Sequence, residues 1–260
     1  MHFHVYIIIR PLRQRRTSIL DNPDFGLAPV TTGSGERLAE QAYQALRVAI
    51  QDGGLEPGQR IPELELCGLL KISRTPLREA LRRLQSDGMV VHAPGGGLAV
   101  AQHDLPAMTE LYDLRERLEG TAAALAARHA DRTELAVLDA IVASHRELPD
   151  DPRVHARENK VLHDTIYRAA HNRFLLKSLQ GLHDSLALLG RTTFAAPGRI
   201  EAAWAEHAAI VAAIGRRDEP EAEALARLHV RHAYEIRLEQ MTRDARFGAR
   251  ARAGEPPAWA

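Results

Sequence analysis

Two groups of side chains in this sequence have residue types and spacings that could do chemistry. Arg74, Arg78 and Arg82 recur every four residues, which places three guanidinium groups on one face of a helix. Arginine can make paired hydrogen bonds to a guanine edge or to a phosphate. The short hydroxyls of Ser73 and Thr75 can reach backbone oxygens without holding such a helix away from a duplex. From Lys71 to Arg83 there are five basic residues and one acidic, a local charge of +4. A solvated basic face would carry the same arginines, so their context must decide. The second group is imidazole-rich. Asn159 and His163 are four apart on one helical face, His207 lies within AEHAAI and His229 within RLHVRH. Apolar neighbours at helical spacing (Leu162 and Ile166, Ile210 and Val211, Leu225) would turn these residues inward. Three helices could then bring one Asn and three His to a common interior point. Imidazoles suit zinc, nickel, copper or iron, and an incomplete protein shell leaves positions for water or a ligand. A lone helical histidine is more often structural or on the surface. His129, His145, His155, His171, His183 and His232 are read that way, and pattern alone leaves both readings open for the other three.

The arginines need a helix held at an angle to a second one. Leu38, Ala42, Ala45, Leu46, Ala49 and Ile50 predict an amphipathic helix over 36–52, stopped by Gly53-Gly54. A turn at Leu55-Glu56-Pro57-Gly58 leads to a short helix built on Leu64, Leu66, Leu69 and Leu70. Ser73 is placed to cap the next helix, Pro76 fits its first turn, and Asp87-Gly88 closes it. Along it, Leu77, Ala80, Leu81 and Leu84 form an inward face beside the arginines. Met89–His92 and Leu98–Val100 then read as two short strands around Ala93-Pro94-Gly95-Gly96-Gly97, a hairpin whose glycine tip can approach a duplex closely. Two helices joined by a tight turn, followed by such a hairpin, make a winged helix-turn-helix.

The histidines need a bundle. Beyond residue 103 there is no strand pattern, and helices are predicted at about 106–128, 132–147, 153–170, 173–193, 199–216 and 220–244. Asp131, Pro152, Pro197-Gly198 and Asp218-Glu219-Pro220 mark the breaks. The fold class is therefore mainly α: an N-terminal winged helix-turn-helix over 35–102, then an all-helical antiparallel bundle of about six helices over 103–245. Residues 1–34 read as a flexible extension and 246–260 as a flexible tail.

The run LEPGQRIPELELCGLLKISRTPLREALRRLQSDGMV resembles the winged-helix domain of GntR-type bacterial transcription regulators, with SRTPLREALRRL and the following DG close to that family's signature. The resemblance implies DNA contacts from Ser73, Arg74, Thr75 and Arg78, with a wing at Pro94 and Gly95. It also implies homodimers on the half-sites of a pseudo-palindromic operator, and repression as the commoner mode. Many members carry an arginine where this chain has Leu64, which implies a different or weaker base preference. The C-terminal half is similar to the helical effector domain of the FCD subgroup, through LYDLRERLEG, Asn159 and His163, AAHN at Asn172, EH at His207 and LHVRH at His229. That subgroup binds a divalent transition metal through an Asp, often Asn, and three His. Asn159, His163, His207 and His229 match, with zinc or nickel the foremost candidates. Asn159 in place of an acid removes one negative charge, which should weaken the metal and favour an anion. The resemblance further implies that Arg115 pairs with the carboxylate of a small organic-acid effector. The alternative for Arg115 is a surface ion pair with Glu119, four residues on.

Composition limits the other possibilities. The 260 residues carry 34 basic and 34 acidic side chains, so a protein that coats nucleic acid through bulk positive charge is excluded while a local basic patch is not. A single cysteine, Cys67, excludes an internal disulfide framework and suits a reducing cytoplasm. No run approaches the length of a membrane span. Two further readings stay open: a metal-dependent hydrolase using the bundle histidines, and a helical module that binds protein. The first lacks an HExxH, and Glu206 points about 100° away from His207 on a helix. Taken together, an enzyme is not expected.

Overall fold

The computed structural model describes Pro29 and residues 34–253, with side chains through Arg243. In α1 (Gly35–Gln51), Ala39, Ala42, Leu46 and Ile50 repeat at three- and four-residue intervals and are all buried. They pack on α3 (Arg74–Ser86), whose Leu77, Ala80, Leu81 and Leu84 form the opposing face, while α2 (Glu63–Leu70) contributes Leu66 and Leu70. Removing each such leucine from water is worth about 1.5–3 kcal/mol, which is what fixes the angle of α3. The α2–α3 turn is tight because Lys71 adopts a left-handed φ of 53°. Ser73 occupies the N-cap of α3 as expected, but its hydroxyl makes no capping bond. β1 (Val90–His92) and β2 (Leu98–Val100) form the antiparallel hairpin, with Val91 opposite Ala99.

The second unit is helical. α4 (Leu105–His129) packs most extensively on α9 (Glu219–Ala253), and α6 (Pro152–Ala169) and α8 (Arg199–Gly215) also pack on α4. α5 (Arg132–Ser144) is set by a reciprocal capping box between Asp131 and Glu134, and Asp151 caps α6 ahead of Pro152. Gly120 allows the close approach of α4 and α9: a Cβ there would lie 2.6 Å from Cγ of Arg227.

Several boundaries differ from expectation. α5 stops at Ser144 and tightens into a 3-10 turn over His145–Glu147. α7 (Arg173–Ala187) ends well short of 193, at a turn containing Gly190 with φ 88°. α9 continues to Ala253, so the first part of the expected tail is helical; ARFGARARA is rich in good helix formers, and the Gly-Glu-Pro-Pro that would stop it comes later. Residues 254–260 of that tail, and the expected extension apart from Pro29 and Ser34, lie outside the described residues.

By contact the chain divides into two units. Among the described residues, the first unit comprises the chain to Asp104 together with Gln180–Arg191, and the second comprises Leu105–Leu179 and Thr192 onward. Within the first unit Leu188 is buried in the winged-helix core, the His103 amide donates to the Leu188 carbonyl at 3.1 Å, and Arg47 and Gln51 both bond Asp184. Replacing Leu188 by Ala should therefore lower the stability of this unit by about 2–5 kcal/mol. Hydrogen exchange of the α1 and α3 amides in mild denaturant measures it; unchanged protection there would contradict the assignment.

Candidate nucleic-acid interface and metal centre

The face of α3 opposite its leucines carries Ser73, Arg74, Thr75 and Arg78, all exposed in the first turns of the helix, as are Pro94 and Gly95 at the hairpin tip. Arg78 donates to Glu63 of α2 at 3.0 Å and remains 58% exposed. Arg83 faces elsewhere: it bonds Glu40 at 2.5 Å and lies over the Tyr43 ring. The local charge of +4 is thus partly answered by acids on α1 and α2, and Arg74 and Arg82 stand exposed beside them. Leu64, at the position where an arginine is common, is 68% exposed on α2.

In the second unit α6, α8 and α9 bring His163, His207 and His229 together, each almost completely buried, with potential ligand atoms all within 4.8 Å of one another. The Nε2 atoms of His207 and His229 face each other at 3.3 Å. Asn159 lies one turn before His163 on α6 and is half-buried. Two carboxylates stand behind the imidazoles. Glu119 of α4 accepts from Nδ1 of His163 at 3.0 Å, and Glu206 accepts from Nδ1 of His229 at 2.6 Å. A proton held on Nδ1 leaves the Nε2 lone pair free, the arrangement in which a carboxylate orients a metal-binding histidine. Nε2 of His163 and Nδ1 of His207 are buried without a hydrogen-bond partner. A buried nitrogen such as Nε2 of His163 is costly to leave unpaired.

Burial and neighbouring charge set the protonation of His207 and His229. Burial, reinforced by the neighbouring imidazoles, holds His207 well below the usual histidine range. Burial also brings His229 down to about 4, against the opposing pull of Glu206. Both rings are therefore neutral near pH 7, as ligation requires. Burial would raise Glu119, but Arg115 and His163 outweigh it and keep the carboxyl well below its ordinary value. Glu206 is likewise pushed up by burial, yet its bonds from His229 and Arg199 bring it down to about 2.

These groups fit a divalent ion. Two imidazole nitrogens about 2.0–2.1 Å from one tetrahedral zinc stand roughly 3.4 Å apart, close to the observed His207–His229 spacing. Three imidazoles supply the nitrogen donors, and Glu119 and Glu206 hold two of those rings.

Arg115 is neither on the surface nor free of Glu119. It is buried, and its Nε donates to Glu119, which in turn holds His163. Glu119, Glu206 and Arg199 were not singled out as site residues by sequence reasoning. Glu119 was visible only as a partner four residues from Arg115. The other signal was the pair His229 and His232, three apart on α9, both of which bond Glu206. His155 and His145 have structural roles: Trp204 donates to His155 at 2.9 Å, and His145 stacks on the Trp204 ring.

Residues 38–100 match the model of the gntR family of bacterial regulatory proteins, and residues 110–232 match the FCD domain. The chain is 30% identical over 234 residues to the Glc operon transcriptional activator of Escherichia coli (strain K12), across 78% of this chain and 91% of that protein. It is 28% identical over 197 residues to the HTH-type transcriptional regulator YdhC of Bacillus subtilis (strain 168), across 74% of this chain and 87% of that one. The solved structure of E. coli McbR/YncC has the same fold, with a TM-score of 0.69 at 22% identity, over 78% of this chain and 98% of that chain. An exposed arginine-bearing helix, a hairpin wing and a buried histidine cluster thus coincide with the two matched domains: the chain belongs to the GntR family of bacterial regulatory proteins, in its FCD-containing group, and is a DNA-binding transcription regulator rather than an enzyme.

Proposed function

We propose that this regulator is a cytoplasmic homodimer and a repressor, whose hold on a pseudo-palindromic operator is modulated by a small organic acid bound at a divalent-metal site. The observation that carries the DNA part is the division of α3 into a buried leucine face and an exposed face of Ser73, Arg74, Thr75 and Arg78. In this reading Arg74 and Arg78 reach base edges or phosphates in the major groove, Ser73 and Thr75 bond phosphate oxygens, and Pro94 and Gly95 approach the adjacent backbone. Two copies related by a two-fold axis place two such helices on successive half-sites. Repression needs only occupancy of a promoter. Among the described residues no helix is long and apolar enough to cross a membrane.

Asn159, His163, His207 and His229 would hold the metal, with zinc or nickel the best suited to three imidazoles and an amide. A bound divalent ion supplies positive charge and coordination positions that a carboxylate can take. Glu119 and Glu206 meet Nδ1 of His163 and His229, which would leave Nε2 of each to the metal. Arg115 uses Nε on Glu119, and its terminal nitrogens would meet the effector's carboxylate. The acid alters transcription only to the extent that it binds the DNA-competent and incompetent states differently.

Arg74→Ala should weaken binding to a duplex from the region upstream of its own gene by about 10-fold or more and reduce the salt slope by about one. Fluorescence anisotropy at several salt concentrations measures both, and wild-type binding without salt dependence would remove the DNA assignment. For the metal, elemental analysis of purified protein should find it in the wild type and lose it in the His163→Ala, His207→Ala double variant. Glu119→Gln should weaken zinc by about 10–100-fold in a chelator competition. Equal metal content in wild type and double variant would exclude the site.

A further inference from the structure

The hairpin wing does not stand alone. Residues 58–61 run alongside β2: the Ile61 amide donates to the Leu98 carbonyl at 2.9 Å, Gly58 to Val100 at 3.0 Å, and Val100 back to Gln59 at 2.9 Å. This third strand-like segment carries Arg60, whose side chain extends to the tip. Nη1 of Arg60 donates to the Gly96 carbonyl at 2.7 Å and Nη2 to the Pro94 carbonyl at 2.5 Å. The glycines lie against the guanidinium: a Cβ at Gly95 would sit 3.6 Å from Nη2 and one at Gly97 3.8 Å from Nη1. Gly95, Gly96 and Gly97 all have positive φ, at 79°, 95° and 79°, a conformation that other residues rarely adopt.

A tip of three glycines is costly to order, because glycine gives up more backbone freedom than any other residue. Two carbonyls captured by one planar, forked donor hold that tip in a single shape before any duplex arrives. Both acceptors are neutral, so these bonds leave the positive charge of Arg60 standing at the exposed end of the wing. Arg78 and Arg83, by contrast, are tied to Glu63 and Glu40.

We propose that Arg60 is a positioning residue of the DNA interface, fixing the wing's glycine tip in its binding shape and delivering a positive charge there to the phosphates of the duplex. The inference rests on the DNA reading above and adds to it a residue outside both α3 and the wing. It separates into a clamp and a charge, which different substitutions test. Arg60→Gln removes the charge and the fork; Arg60→Lys keeps the charge.

The test is anisotropy on a duplex of about 30 base pairs from the protein's own upstream region, across a salt series, with melting temperature and wing amide exchange measured in parallel. Arg60→Gln is expected to weaken binding about 10-fold or more, lower the salt slope by about one, and speed exchange at Gly96 and Gly97. Arg60→Lys is expected to retain the slope, bind a few-fold more weakly than wild type and show faster exchange at the same amides. Wild-type affinity and slope in Arg60→Gln would overturn the proposal. So would weaker binding with an unchanged slope and a lowered melting temperature, the signature of a residue needed only for folding. Arg74→Ala is the control: if Arg74→Ala loses salt-sensitive binding while Arg60→Gln does not, the DNA reading stands and only the role of Arg60 fails.

Discussion

A carboxylate with almost no access to water, Glu119, is the constraint around which the second unit is arranged. Burying an ionised carboxylate costs several kcal/mol unless opposite charge and hydrogen bonds replace the lost water. Arg115, one turn earlier on α4, supplies the charge, and His163 of α6 supplies a donor. Glu119 thereby stays ionised, and its demand for a donor sets the proton of His163 on Nδ1. Nε2 of the same ring is buried with no hydrogen-bond partner. Glu206 repeats the device from α8, with Arg199 providing charge and His229 the donor. One buried and one half-buried acid thus hold the Nδ1 atoms of two buried imidazoles.

Packing makes these contacts reachable. Gly120, adjacent to Glu119, removes the side chain that would collide with Arg227 and hold α9 away from α4. A closer α9 brings His229 toward His207 on α8 and His163 on α6. At His207 the cluster meets an apolar wall: Trp204, 1% exposed, packs edge-on against this ring. That wall excludes water and explains why burial dominates the downward shifts of His207 and His229.

What the sequence made legible was local. The periodic leucines of α1 and α3, the Asp131–Glu134 box, Asp151-Pro152 and Asp87-Gly88 each encode a helix face or end within a few residues, and the structure uses all of them. Convergence of His163, His207 and His229 was open from inward-facing positions on three helices, though spacing alone could not distinguish it from three separate core histidines. The partners were out of reach for a different reason. Glu206 meets His229 across 23 residues and Arg60 meets the wing across 34 and 36, contacts set by tertiary packing and invisible to any short window. Ser73 shows the reverse: its position at the N-cap follows from the chain, but its hydroxyl leaves the capping bond unmade. α7 ends at Ala187, and the next residue, Leu188, is buried in the winged-helix core, a distant contact of the same kind.

Zero net charge is compatible with DNA recognition because of how the arginines of α3 are answered. A surface ion pair such as Arg78–Glu63 is worth about 0.2–1 kcal/mol, whereas a paired contact to the correct base discriminates by about 1–3 kcal/mol. Under the proposed reading, Arg78 would give up Glu63 readily for a matching base edge. A lone phosphate offers a smaller gain and must also approach the Glu63 carboxylate. Glu63 therefore penalises sequence-independent contact more than specific contact, and Leu64 beside it adds no charge that would reverse the balance. A chain with matched totals of acid and base can in this way keep weak affinity for bulk DNA while its exposed arginines retain selective reach.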